Sequence, residues 1–159
     1  MESSAFDTRA GTRGPHLRSS SGRLSNLVRR WMSSYHRRRG YRFQGMDVLL
    51  LTTLGRKSGQ PRETPVAWFP DGDDAWLIVA SAAGAAQHPG WYRNLAARPD
   101  EVWIELADRT LKVTPELLRG RERDERWQRI IAAQPRYRRY QDKTDRELPV
   151  IRLTPSTTA

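Results

Sequence analysis

Cysteine is absent from the 159 residues. That excludes a disulfide framework, thiolate metal sites and a cysteine nucleophile. Histidine is scarce: His16, His36 and His88 are all there is, with no HxxxH or HExxH spacing. A histidine zinc site therefore has no foothold, and a Ser-His-Asp triad would have to use His88, which a structural turn before Pro89 explains as well. No apolar run approaches the roughly 20 residues that span a bilayer. The N-terminal stretch MESSAFDTRAGTRGPHLRSSS has no apolar core and carries acids, so it does not read as a secretory signal. The expectation is a cytoplasmic chain, or one held peripherally on the inner face of the plasma membrane. Asp71, Asp73 and Asp74 crowd one turn and read as solvated acids rather than a calcium loop. No metal site is expected.

What is abundant is positive charge. Lys and Arg number 28 against 18 Asp and Glu, a net charge of +10. Residues 1–40 hold nine arginines and two acids (Glu2, Asp7), leaving +7 there and +3 on the remainder. The excess is thus an N-terminal arm, and such arms favour anionic surfaces or polymers. Residues 1–20, rich in Ser, Gly and Arg with only Phe6 and Leu17 as sizeable apolar groups, read as a disordered basic tail. Over 21–40, Leu24, Leu27, Val28, Trp31, Met32 and Tyr35 recur at helical steps. Arg23, Arg29, Arg30, Arg37, Arg38 and Arg39 flank that face. This amphipathic basic helix either docks on its own domain or lies in a membrane interface, with residues 21–39 on anionic lipid. Nucleic acid is the least favoured partner.

Beyond Gly40 the pattern turns to short strands. Val48–Thr53, Glu63–Phe69 and Ala75–Ser81 are β-prone, the last two joined by the Pro70-Asp71-Gly72-Asp73 turn as an antiparallel hairpin. Val102–Ala107 and Thr110–Val113 form another around Asp108-Arg109, and Leu148–Leu153 is a last strand. Pro89–Ala97 reads as a short helix, and Thr114 with Pro115 as the cap and first residue of a long helix to about Ala133. Residues 156–159 read as a disordered end. Hairpins with interleaved helices give an α+β domain over 41–155 with an antiparallel barrel or sandwich core.

Four local features could carry chemistry. Gly55-Arg56-Lys57-Ser58-Gly59-Gln60-Pro61-Arg62 places three cations, a hydroxyl and two glycines on one turn after an apolar strand. Such a turn suits a phosphate, though its glycine spacing is not that of a nucleotide-binding P-loop, and a solvated basic turn is the alternative. Ala80-Ser81-Ala82-Ala83-Gly84-Ala85-Ala86 leaves backbone accessible at a strand end, where a flat ring could lie. In Trp91-Tyr92-Arg93-Asn94-Leu95, Trp91 and Leu95 share a helical face, which by itself means core packing, and Tyr137 and Tyr140, one helical turn apart, could line a pocket mouth or, equally, pack their turn.

Taken together, these blocks resemble the deazaflavin-dependent nitroreductase and F420H2-dependent quinone reductase family, split β-barrel oxidoreductases of actinobacteria. The matching segments are Leu50–Pro65, Asp71-Gly72, Val79–Pro99 and Pro135–Val150, in order. The resemblance implies a split β-barrel of FMN-binding type that uses coenzyme F420, with FMN the lesser expectation. It implies hydride transfer from the reduced deazaflavin to a quinone, enone or nitro acceptor; the rival is a non-catalytic split barrel that binds coenzyme or an apolar ligand. By the same resemblance Arg56, Lys57, Ser58 and Arg62 hold the coenzyme's phosphate and tail. Glu63, Thr64, Pro65, Val66 and Ala67 run along it. Val79, Ala80, Ser81 and Ala82 flank the ring, Gly90, Trp91, Tyr92, Arg93 and Asn94 form the other wall, and Tyr137 also reaches the coenzyme. Ser81, Tyr137 and Tyr140 are the expected catalytic residues, and a homodimer is compatible with the family. Ala83-Gly84-Ala85 stands where the family often has Gly-Gly, with Ala85 expected to crowd the ring edge. Gln134 and Ala67 stand where relatives can carry tyrosine, which opens the acceptor pocket.

Overall fold

The computed structural model describes residues 4–17, 30–31, 33–35, 37–38 and 40–157. The strands are β1 (Arg42–Phe43), β2 (Met46–Leu54), β3 (Pro61–Ala67), β4 (Phe69–Pro70), β5 (Trp76–Val79), β6 (Val102–Glu105), β7 (Thr110–Leu117) and β8 (Val150–Pro155). The helices α1 (Gly90–Ala97), α2 (Gly120–Ala133) and α3 (Arg136–Lys143) lie between them, with a short turn at Ala82–Gly84 after β5. All pairings are antiparallel, in the order β1-β2-β6-β7-β8-β5-β4, and β3 adds to β2. This curled sheet is the split β-barrel of an α+β fold.

Alternation along the strands decides what is inside. Leu49 and Leu51 of β2, Val66 of β3, Trp76 and Ile78 of β5, and Ile104, Val113, Ile151 and Leu153 fill the barrel interior. Leu77 and Val79 point the other way, into a second core with Leu118, Trp127, Ile130, Tyr137 and Val150. β5 is covered on both faces, which is why WLIV is an unbroken apolar run rather than an alternating one. Each such side chain contributes about 1.5–3 kcal/mol when removed from water.

Three sequence-based expectations are corrected here. Glu63–Phe69 is two strands: β3 follows β2, and after Trp68, whose N–H donates to the Asp47 carbonyl at 3.0 Å, β4 joins β5. Thr114 and Pro115 do not start a helix. They lie within β7, where Val113 and Pro115 are buried and Thr114 and Glu116 exposed, a period of two. The missing N–H of Pro115 is tolerated because β7's register with β6 ends at Lys112. The helix begins at Gly120 instead, where Arg123, Trp127 and Ile130 share one buried face.

The third concerns the tail. Residues 4–17 lie along the domain rather than apart from it. Phe6 is buried in the barrel core, the Gly11 N–H donates to the Ala86 carbonyl at 2.8 Å, and the Ala86 N–H donates to the Pro15 carbonyl at 3.1 Å. The Thr12 N–H and hydroxyl and the Arg13 N–H all donate to Asp145. One buried ring and these hydrogen bonds to the domain offset the entropy of ordering a polar segment. The expectations for residues 1–3, 18–29, 32, 36, 39 and 158–159 lie outside the described residues. Ser156, expected to be disordered, still donates its N–H to the Lys112 carbonyl at 3.0 Å. Residues 30, 31, 33–35, 37 and 38 are helical. Arg37 anchors this arm helix to the barrel, pairing with Glu63 at 2.9 Å and Glu105 at 2.8 Å.

Candidate active site

The basic turn closes between β2 and β3. The Gly55 N–H donates to the Gln60 carbonyl (2.8 Å), the Gly59 N–H to the Gly55 carbonyl (2.7 Å), and the Gln60 N–H to the Ser58 hydroxyl (3.2 Å). Gly59 has φ +68°, a left-handed position that favours glycine. Asn94 on α1 braces the turn by accepting from the Arg56 N–H at 3.1 Å and its guanidinium at 3.4 Å. Arg56, Lys57 and Ser58 are exposed and Arg62 half-buried. Among the described residues none of these three cations has a carboxylate partner. An unbalanced positive turn with free donors fits a phosphate-bearing, polycarboxylate ligand. A fourth cation, Arg98 at the end of α1, lies within 4 Å of where a Gly59 side chain would stand. It was not singled out from the sequence, because only the fold brings it beside this turn.

From the turn, β3 runs antiparallel to β2 with Arg62 opposite Thr53 and Ala67 opposite Val48. That is about 17 Å of strand at 3.3 Å per residue, long enough to follow an extended ligand. Glu63, Thr64, Pro65 and Ala67 are half-buried, whereas Val66 faces the barrel core.

Val79 and Ala80 are buried, and Ser81 and Ala82 half-exposed, at the end of β5. The turn that follows is left-handed: Ala82, Ala83 and Gly84 have φ of +44°, +53° and +85°. Left-handed alanines cost roughly 1–2 kcal/mol each, a strain that collects at functional sites. The departure from Gly-Gly thus falls on Ala83, which keeps the left-handed conformation while exposed. Ala85, the residue expected to crowd the ring edge, is fully buried.

α3, which carries the two tyrosines, packs against this turn. A Cβ on Gly84 would stand 2.5 Å from the Tyr140 carbonyl and 2.9 Å from Lys143 Cβ, so α3 sits directly on the Ser81 turn. Tyr137 is buried, with its ring edge-on to Phe69 and to Tyr140, both at 5.6 Å, and its hydroxyl 4.0 Å from the Met46 sulfur. Burial pushes its phenol up to about 12, so it is a neutral donor at ordinary pH. Tyr140 is half-buried.

Beneath the turn lies Arg146, only 2% exposed and without a carboxylate partner among the described residues. Its guanidinium donates to the carbonyls of Ala85 (2.7 Å), Ala80 (3.0 Å) and Ser81 (2.7 Å), and meets His88 Nδ1 at 3.1 Å. Burial lowers its pKa to about 10, which leaves it charged. Burial, then the Arg146 charge, lowers that of His88. A neutral His88 accepts from Arg146 at Nδ1 and donates from Nε2 to Thr8 of the tail, whose hydroxyl is 2.9 Å away. Arg146 was not singled out from the sequence either; a lone arginine among many gives no signal until its burial is seen.

α1 is divided in its duties. Gly90 and Arg93 are exposed and Trp91 half-buried. Tyr92 is buried and donates its hydroxyl to the Phe6 carbonyl at 2.7 Å. The structure thus gathers the basic turn with Asn94 at the start of β3, and separately sets the backbone of α3 at Tyr140 against Gly84 of the turn that follows Ser81. A cavity of about 370 Å3 adjoins Trp68, Trp76 and Asp108 at the end of the barrel away from the basic turn.

These features define a split β-barrel with a cationic turn at the start of β3 and an aromatic helix packed on the turn after β5. The model of the F420H(2)-dependent quinone reductase family matches residues 25–155. An F420H(2)-dependent quinone reductase of Mycobacterium tuberculosis (strain H37Rv) is 41% identical over 119 residues, covering 72% of this chain and 78% of that protein. A solved F420-H2 dependent reductase is 37% identical with TM-score 0.60, covering 67% of this chain and 92% of its own. A second solved chain, described as a domain-swapped dimer, is 32% identical with TM-score 0.61, covering 82% and 98%. The chain belongs to the F420H(2)-dependent quinone reductase family.

Proposed function

We propose that this protein oxidises F420H2 at the expense of a quinone-type acceptor, and that the residues of the basic turn and of the Ser81 turn divide the work. When bound, the reduced coenzyme supplies a hydride and a proton, which convert a quinone to its hydroquinone. Arg56, Lys57, Ser58 and Arg62 bind its phosphate and acidic tail. Glu63, Thr64, Pro65, Val66 and Ala67 line its path, and Gly90, Trp91, Tyr92, Arg93 and Asn94 close the wall opposite. Val79, Ala80, Ser81 and Ala82 flank the ring. Ser81, whose hydroxyl has no partner among the described residues, steadies oxygen that gains charge as hydride arrives. Tyr137 and Tyr140 shield that end from water and orient the acceptor. The observation that carries this reading is the set of three cations at the start of β3 with no carboxylate partner among the described residues, within a chain of this family. The test is turnover: F420H2 with a panel of quinones, enones and nitro compounds, scoring oxidised coenzyme against reduced acceptor. One-to-one stoichiometry with quinones supports it; binding of coenzyme without oxidation would make the protein a carrier.

A second reading concerns the arm. Trp31 is 69% exposed and stacks on Tyr35 at 6.0 Å, beside the exposed Arg30 and Arg38. We read this face of 21–39 as the one that meets anionic membrane, where quinones partition, while Arg37 keeps the helix on the barrel. No helix among the described residues is long and apolar enough to cross a membrane, so contact would be peripheral. A homodimer remains part of the reading, decided by light scattering.

A further inference from the structure

The peptide groups around Ser81 face two ways. The carbonyls of Ala80 and Ser81 point at the Arg146 guanidinium, at 3.0 and 2.7 Å. In a trans peptide the N–H lies antiparallel to its carbonyl. The N–H groups of Ser81 and Ala82 therefore point away from Arg146, toward the half-exposed side of the turn. On either side Ala80 donates to the Pro149 carbonyl, Gly84 to Ser81 and Ala85 to Ala82, all within 3.0 Å, while the N–H of the exposed Ala83 has no partner among the described residues. Those of Ser81 and Ala82 have no partner among the described residues. Ser81 is right-handed (φ −78°, ψ −36°) and Ala82 left-handed (φ +44°). That succession curves consecutive N–H groups into a concave donor surface for negative charge.

Arg146 explains why so strained a turn persists. Its fork grips three carbonyls of one short loop, Ala80, Ser81 and Ala85, a geometry that a lysine point charge cannot reproduce. A buried cation with no counter-ion is costly as a stability device. Here its field acts along the two peptide dipoles and emerges at the N–H groups on the far side. We propose that Arg146 is a positioning residue of the redox site, holding the 80–85 turn so that the N–H groups of Ser81 and Ala82 bind a carbonyl oxygen that carries negative charge. The inference rests on the proposed coenzyme site and deepens it. The oxygen belongs either to the coenzyme's ring or to the acceptor.

The decisive comparison is Ser81→Pro against Ser81→Ala. Proline suits φ −78° and deletes the N–H, whereas alanine keeps it, and both lose the hydroxyl. Arg146→Lys tests the fork, with circular dichroism and melting as fold controls. Binding of oxidised F420 by fluorescence titration and the single-turnover rate of hydride transfer to menadione are both read. If the oxygen is the coenzyme's, Ser81→Pro and Arg146→Lys weaken F420 binding about tenfold or more relative to Ser81→Ala. If it is the acceptor's, binding holds and the hydride-transfer rate falls by that factor. Should Arg146→Lys fail to fold, the Ser81 pair decides alone. Ser81→Pro within twofold of Ser81→Ala in both measurements overturns the inference while the coenzyme site stands. Failure of the wild type to bind F420 overturns both.

Discussion

The guanidinium of Arg37 bridges the carboxylates of Glu63, at 2.9 Å, and Glu105, at 2.8 Å. Tyr41 donates its hydroxyl to Glu105 at 2.6 Å, so the end of the arm helix is tied to the strand that leaves the basic turn. The hydrogen bond from Arg37 holds the Glu105 carboxyl below its ordinary range. A depressed carboxylate stabilises the fold above its unfolded pKa and loses that contribution as pH falls through the folded value. Arg37→Gln is therefore expected to cost about 0.5–1 kcal/mol at neutral pH, since the pair is partly solvated, and less in acid. Urea melts at pH 7 and pH 3 check this.

The arm's exposed face gives a separate expectation. Trp31→Ser with Arg30→Gln and Arg38→Gln should reduce flotation with vesicles rich in cardiolipin, by about 1 kcal/mol per well-placed arginine. Binding of the wild type should fall with salt. Wild-type protein that ignores such vesicles at low salt would leave the arm a docked helix only.

Asp71 is the hub of a stabilising network. Its carboxylate is 7% exposed and meets Arg126 (3.1 Å), Arg129 (2.8 Å) and Arg152 (3.2 Å). Burial raises its pKa, but the hydrogen bonds from Arg129, Arg152 and Arg126 outweigh burial and leave it lowered. Asp71→Asn is expected to destabilise by about 2–3 kcal/mol at pH 7, by unpinning α2 from the β4–β5 turn. The difference from wild type should shrink as pH falls through the folded pKa of Asp71, below the ordinary carboxylate range. Denaturant unfolding over that interval measures it.

Tyr137 separates packing from chemistry. Tyr137→Ala empties a buried site and should cost about 3–5 kcal/mol. Tyr137→Phe keeps the ring against Phe69 and removes only the phenol. We expect Tyr137→Phe to melt like the wild type and to lower turnover with menadione more than it weakens coenzyme binding. Because the phenol titrates only near 12, its donor role predicts no break in the rate profile between pH 6 and about pH 10. An unchanged rate in Tyr137→Phe would assign the residue to packing.

Much of this was legible in the chain itself. Glycine, proline and charge within Gly55–Arg62 mark a turn by local chemistry alone, and Gly90–Ala97 starts and stops where Pro89 and Pro99 require. Local signals failed where the decision was tertiary. Thr114-Pro115 looks like a helix start, and only its pairing with Leu153 and Thr154 of β8 makes it strand. The polar segment 4–17 looks disordered, and its order depends on the barrel core around Phe6 and on Ala86 and Asp145, all far off in sequence. Arg146 and Arg98 are indistinguishable from surface arginines until the fold buries one and places the other beside Gly59. Family resemblance groups Ser81, Tyr137 and Tyr140; the structure shows α3 packed on Gly84 of the turn after Ser81, a contact that no local sequence signal gives.

The central claim is tested most directly at the basic turn. Lys57 is exposed and has no partner among the described residues, so Lys57→Ala should leave melting unchanged, and the same holds for Arg56→Ala and Arg62→Ala within small margins. A charge-assisted contact contributes about 1.5–3 kcal/mol, or roughly tenfold to a hundredfold in affinity. Fluorescence titration of oxidised F420 against wild type and the three variants is the measurement, with F420H2 oxidation by menadione run on the same samples. The account predicts saturable binding and turnover by the wild type, and weaker binding in each variant at unchanged stability. Wild-type affinity in all three variants, or a wild type that binds F420 and never oxidises F420H2 with any quinone, would contradict it.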